Sequence, residues 1–109
     1  MRIIIETPDF KASNSLKDFI KEKVSKLEKL HQQIISAEVT LEVDVKKARE
    51  VIRCTIILNI PGKDEYVKTS SFIFEDAILK AVDAAKRRLR IRKTQRIGNY
   101  KSASKKKAM

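Results

Sequence analysis

The chain has 109 residues, 42% hydrophobic and 36% charged, with two glycines, two prolines and one cysteine. That composition supports one folded domain with a heavily charged surface, and it excludes a disulfide scaffold and a bilayer-spanning helix, which needs about 20 consecutive apolar residues. The net charge is +11 and unevenly spread: residues 1–73 carry 13 Lys/Arg against 11 Asp/Glu, residues 74–109 carry 12 against 3, and after Asp83 there are 11 basic residues and no acid. A polycation joined to a near-neutral domain points to a polyanionic partner, nucleic acid ahead of an acidic membrane surface. The lone cysteine and the acidic, proline-bearing stretch after the first isoleucines give no sign of secretion, so the expected home is the cytoplasm, with no membrane association.

Arg2–Glu6 reads as a β-branched strand broken by Thr7-Pro8-Asp9. Ser13 or Asn14 is a plausible N-cap for an amphipathic helix of about four turns, in which Leu16, Phe19, Ile20, Val24, Leu27 and Leu30 recur at 3–4 spacing. Gln32-Gln33 closes it. Over residues 37–45 the period drops to 2, with Ala37, Val39, Leu41, Val43 and Val45 alternating with polar positions, and Lys47-Ala48-Arg49 reverses the chain. Ile52, Cys54, Ile56, Leu58 and Ile60 form the inward side of the next strand. Pro61-Gly62-Lys63-Asp64 is a turn, since proline presets φ and glycine allows positive φ. Residues 65–70 complete a three-stranded meander. Ser71 is expected to cap the last helix, Glu75 and Asp76 complement its dipole, and Ala77, Ile78, Ala81, Val82, Ala85 and Leu89 mark its buried stripe. Gly98 suggests a stop, and residues 101–109 read as a flexible Lys/Ser/Ala-rich segment.

The order β-α-β-β-β-α predicts an α+β two-layer sandwich, a four-stranded mixed sheet with two helices on one face. The expected division is a binding domain over residues 1–94 and a basic flexible tail over residues 95–109.

Catalytic constellations are missing. His31, the single histidine, reads as a polar residue near a helix end, and Cys54 as core filling on the inward phase of its strand. There is no CxxC, no HxxxH and no glycine-rich phosphate loop, so no metal, cofactor or small-molecule substrate is expected. Glu38, Glu42 and Asp44 share one strand face, but opposing strands supply Arg53 and Lys68, which predicts cross-strand charge pairs rather than acid–base chemistry.

The basic residues carry the functional signal. At 100° per residue Lys80, Arg87 and Arg90 share a face of the last helix with Lys86 beside it, while Arg88 and Lys93 flank the core stripe. Solvated faces mix signs; this one has no acid after Asp83. On the first helix Leu16, Lys23 and Leu30 are spaced by seven and stack nearly in line. The Lys23 stem either covers the core edge while its ammonium reaches water, or is aimed at a ligand. Lys26 and Lys29 lie progressively off that stripe. Two parallel helices on one sheet would set Lys23, Lys26 and the basic face of the last helix along one ridge or groove. Spaced cations of this kind fit phosphates across an RNA groove read by shape. Aromatics are sparse, Tyr66 being one outward candidate, which disfavours single-strand readout. The candidate RNA-binding set is Lys23, Lys26, Lys80, Lys86, Arg87, Arg88, Arg90 and Lys93.

Three stretches resemble the ribosome hibernation factors, also described as ribosome-associated translation inhibitors. The first helix, with Lys23-Val24-Ser25-Lys26-Leu27-Glu28-Lys29, is similar to the family's apolar stripe ending in a K-x-x-KLEK-like run. The alternating strand over residues 37–45 resembles its second strand. Asp76-Ala77-Ile78, Val82-Asp83 and Arg87-Arg88-Leu89 resemble its A-I-D…D-K-L…R-Q-L…K helix, with Leu79, Ala84 and Ala85 departing from it. The resemblance spans Arg2 to about Lys93. It implies a non-catalytic inhibitor, a monomer when free, that binds the decoding channel of the small ribosomal subunit. The implied contacts are with 16S-type ribosomal RNA, and with ribosomal proteins where they line the channel. Lys23, Lys26, Arg87 and Lys93 would match the family's basic positions. It further implies ribosome hibernation under stress or in stationary phase, with any pairing of ribosomes left to a separate partner. Composition alone leaves two other readings open, a double-stranded RNA-binding module acting off the ribosome and a regulatory protein–protein module.

Overall fold

In the computed structural model the backbone is described for residues 1–46 and 48–108, and the side chains for residues 1–45 and 48–92. The isoleucine-rich start forms β1 (Arg2–Glu6), which pairs in parallel with β2 (Ser36–Lys46), Ile3 opposite Ala37 and Ile5 opposite Val39. Because β1 is five residues long and β2 eleven, part of the β2 edge is left without a strand. Asp9 serves one of its donors: the Val43 amide donates to the Asp9 carboxylate at 2.9 Å.

Ser13 is the cap of α1 (Asn14–Ser25), its hydroxyl accepting from the Leu16 amide at 3.1 Å. The apolar stripe expected out to Leu30 is continuous, but its last turn tightens into a 3-10 segment, η1 (Lys26–Lys29). Ile20, Val24 and Leu27 are fully buried, with Phe19 and Leu30 at the margin.

β2 and β3 (Arg49–Asn59) are antiparallel over their whole length, from Ser36 opposite Asn59 to Lys46 opposite Arg49. The reversal places Ala48 at φ 61°, a left-handed conformation that an alanine adopts only under constraint by the paired strands. β4 (Glu65–Ser71) pairs antiparallel with β3, giving sheet order β1-β2-β3-β4. In the turn between them Gly62 takes φ 95°, as the Pro-Gly pair predicts, and the Ile60 amide donates to the Asp64 carboxylate at 3.1 Å.

α2 (Phe74–Ala108) begins three residues beyond the expected cap. Ser71 does not cap it, because it is still paired in β4 opposite Ile52. Its hydroxyl instead donates to the Asp76 carboxylate at 2.6 Å and accepts from the Ile73 amide at 3.4 Å. Ala77, Ala81 and Ala85 are completely buried, so the helix backbone lies close to the sheet. The contact is close enough for the Thr69 hydroxyl to donate to the Ala77 carbonyl at 2.8 Å. The helix passes through Gly98, where a stop was expected. One glycine costs a helix only about 1 kcal/mol relative to alanine, less than good helix formers on either side can offset.

The fold is the expected α+β sandwich, β-α-β-β-β-α, with both helices on one face of a mixed sheet. Cys54 lies in the core, and burial pushes its thiol up to about 12, so it is an inert hydrophobe at neutral pH. The expected cross-strand pairing holds at Arg53, 3.6 Å from Asp44, while Glu38 accepts from the Asn59 amide at 3.0 Å. No helix among the described residues is long and apolar enough to cross a membrane.

Candidate nucleic-acid interface

Phe10, just ahead of α1, packs on Phe74 at the start of α2 with ring centroids 4.9 Å apart. At the other end Leu30, closing η1, and Leu89 share the walls of one cleft. The two helices therefore start at the same end of the sheet and run side by side in one direction, the arrangement that the basic residues require if they are to form a single surface.

The cleft at the far end has a volume of roughly 260 Å³ and is lined by Lys29, Leu30, Leu89 and Arg90. Its apolar walls continue the core, and its rim carries two cations from different helices. Lys26 is exposed on the 3-10 turn beside it. Lys23 sits lower: its side chain is only 26% exposed, its ammonium lies 5.5 Å from the Phe19 ring centroid, and Glu22 is 3.9 Å away. The stem thus covers the apolar edge of α1, the first of the two alternatives its spacing allowed.

The cations of α2 divide into two groups. Lys80 lies 3.3 Å from Asp76 and donates to the Ser70 carbonyl at 3.5 Å. The hydrogen bond from Ser71, and then Lys80, hold the Asp76 carboxyl below its ordinary range. Arg88 lies 3.5 Å from the Glu65 carboxylate. Arg92 lies 3.2 Å from the same carboxylate, donates to the Pro61 carbonyl at 3.3 Å and also to the Lys63 carbonyl. All three face β4 or the turn that precedes it. By contrast Lys86, Arg87 and Arg90 have no acid within ion-pair distance among the described residues, and Arg90 faces η1. The described side chains of the expected set thus comprise a free group (Lys26, Lys86, Arg87, Arg90), Lys23 at its margin, and a committed pair (Lys80, Arg88). Lys93 falls outside the described side chains.

Two residues escape the sequence reading of the site. Lys29 joins the cleft from the first helix, and its signal was the last lysine of the KLEK run. Arg92 reads as part of the polycation yet serves the fold. Its signal was position: it lies seven residues beyond Ala85 and so falls under the buried stripe. No group of His, Cys, Asp or Glu among the described residues could hold a metal ion.

Residues 3–97 match the family described as Sigma 54 modulation protein / S30EA ribosomal protein. Among curated protein sequences none matches. Two solved structures are similar over nearly their whole length. The Thermus thermophilus Protein Y N-terminal domain is 20% identical with TM-score 0.70, over 82% of this chain and 96% of that one. A ribosomal subunit interface protein from Coxiella burnetii is 13% identical with TM-score 0.71, over 86% of this chain and 99% of that one. At such identities the likeness establishes the fold. The family match, which covers most of the sequence, goes further: the chain belongs to the Sigma 54 modulation / S30EA ribosomal protein family, as its resemblance to the ribosome-associated translation inhibitors implied.

Proposed function

We propose that the protein is a non-catalytic inhibitor of translation that binds ribosomal RNA in the decoding channel of the small subunit and holds idle ribosomes in a hibernating state. The observation that carries this reading is the free group of cations: Lys86, Arg87 and Arg90 on α2 have no acid within ion-pair distance among the described residues, and Arg90 meets Lys29 at the rim of a cleft between two parallel helices, with Lys26 exposed on the same 3-10 turn. Such a ridge presents point charges at helical spacing to a phosphate backbone without base-reading aromatics, which suits folded RNA recognised by shape. The Coxiella burnetii relative, described as a ribosomal subunit interface protein, supports the ribosome as the source of that RNA. Lys93 and the basic residues 95–109, read as a tail, extend the same charge and add phosphate contacts.

With six to ten phosphates contacted, affinity falls about 10³- to 10⁵-fold between ~50 and ~200 mM salt. The test is co-sedimentation of the protein with purified small and large subunits, with duplex RNA as competitor. Selective binding to small subunits that excess duplex does not displace is expected. Equal affinity for free duplex would overturn the ribosomal reading in favour of a double-stranded RNA-binding module.

A further inference from the structure

Among the described residues no helix or strand covers the face of the sheet opposite the helices, and its two halves differ in chemistry. On β1 and β2 its outward side chains, among the described residues, include Glu6, Glu38, Glu42 and Asp44 against one cation, Arg2. On β3 and β4 the outward cations are Arg49, Arg53 and Lys68, and there is no outward acid. Large rings stand at both ends of that second half. Tyr66 is 56% exposed beside Ile57, and Phe72, which continues the outward phase of Tyr66, Lys68 and Ser70 just past the end of β4, is 57% exposed. The Arg49 guanidinium lies over the Phe72 ring, 4.2 Å from its centroid. Arg53 is held by Asp44 at 3.6 Å, so the cations left to a ligand are Lys68, opposite Thr55 between the two rings, and Arg49 on its ring.

Exposed rings with cations between them along an open sheet are the elements of a single-strand site: bases stack on the rings, and the cations meet the backbone. Six residue steps lead from Tyr66 to Phe72, about 20 Å at ~3.3 Å per step of extended chain, room for a short run of nucleotides rather than one. The acids of β2 confine a polyanion to the β4 side. We propose that the outer face of β3 and β4 is a second RNA site, which takes a single-stranded segment by stacking bases on Tyr66 and on the Phe72–Arg49 pair with Lys68 against the backbone. It lies on the opposite face from the helix cations, so it stands or falls independently of them.

The test uses the full chain and a fluorescein-labelled hexauridylate, read by anisotropy at ~200 mM salt, where contacts to phosphate alone are weak. Three variants are compared: Tyr66→Ala with Phe72→Ala, Lys68→Glu, and Arg87→Glu with Arg90→Glu. The ring variant is expected to lose roughly 10- to 100-fold in hexauridylate affinity. Lys68→Glu should lose about 5-fold, while both keep small-subunit binding. The helix variant should lose subunit binding and keep most hexauridylate affinity. Both rings are solvent-exposed, so their removal leaves the core intact, which an unchanged melting temperature would verify. The proposal is overturned if the ring variant binds hexauridylate as tightly as the unaltered protein, if the helix variant alone loses it, or if the unaltered protein does not bind it. Such results would leave the helix-face reading untouched.

Discussion

Along α2 the flank turned toward β4 carries Lys80, Arg88 and Arg92, each within ion-pair distance of an acid, while Lys86, Arg87 and Arg90 have no such neighbour among the described residues. The residue types are the same on both sides, but their fields differ. A cation a few ångströms from a carboxylate presents a dipole to anything farther away, and its pull on a phosphate fades quickly. An unpaired cation keeps the full attraction of a charge out to about a Debye length, some 8–10 Å at physiological salt. The density of Lys and Arg after Asp83 therefore overstates the binding surface: part of it anchors the helix to β4, and part is left for a ligand.

The strongest test of that difference removes equal charge from each flank. Arg87→Ala with Arg90→Ala is expected to weaken small-subunit binding about 100-fold in filter binding near 100 mM salt. Lys80→Ala with Arg88→Ala, the same change in net charge, should cost less than about 5-fold. Equal losses would mean that net charge, and not pairing, sets affinity.

Glu65 is the acid that makes the anchored flank. Its side chain is 11% exposed and that of Arg92 18%, so Glu65→Ala leaves a largely buried guanidinium without its partner. About 2–4 kcal/mol of stability should be lost in urea unfolding, somewhat below the ~3–5 kcal/mol for a fully buried pair because both side chains keep some exposure. The same substitution raises net charge by one, so attraction to duplex RNA at low salt should hold steady or rise. Loss of stability with no loss of duplex binding separates anchoring from contact. A parallel loss of both would place Arg88 and Arg92 in the interface.

A smaller effect tests whether the free surface crosses to the first helix. Lys26→Ala and Lys29→Ala should each weaken subunit binding roughly 5- to 10-fold, the scale of one phosphate contact. Lys23→Ala should act mainly on stability, since its side chain is only 26% exposed and its ammonium lies over the Phe19 ring. If Lys23 proves the larger binding loss, the interface lies deeper between the helices than the exposed lysines suggest.

Periodicity made the fold legible almost throughout, since the switch from 3.6 to 2 and the Pro-Gly turn are local signals that tertiary packing did not override. The departures came where two local preferences competed. Ser71 has good capping chemistry, but pairing with β3 claimed it first, and the helix start moved to Phe74. At Gly98 a weak helix breaker was outweighed by its neighbours. The site was legible as a region and not as a set of residues. Helical projection puts Lys80 and Arg87 on one face, but it cannot show that Asp76 lies one turn behind Lys80 in ion-pair geometry, or that Glu65 reaches across from β4 to hold Arg88 and Arg92. Those partners are distant in sequence or conditional on rotamer. The one usable hint was the seven-residue step from Ala85 to Arg92, which puts a cation beneath the apolar stripe and so asks what neutralises it.

The smallest effect belongs to the pair that begins the anchored flank. Ser71 and Lys80 hold the Asp76 carboxyl below its ordinary value in the folded chain. A depressed folded pKa contributes stability above the unfolded value, near 3.9, and loses it as pH falls through the folded value. Asp76→Asn should accordingly melt a degree or two below the unaltered protein at pH 6–7, and the gap should close as pH falls below the unfolded value and through the lower folded one. Salt should narrow it as well, because Asp76 and Lys80 are each about half exposed, at 48% and 55%. A gap that persists unchanged into the most acid range where the protein stays folded would mean that Asp76 acts through the hydrogen bond from Ser71 in either protonation state and not through charge. The anchoring at the start of the flank would then rest on that hydroxyl, leaving Lys80 free to join Arg87 and Arg90.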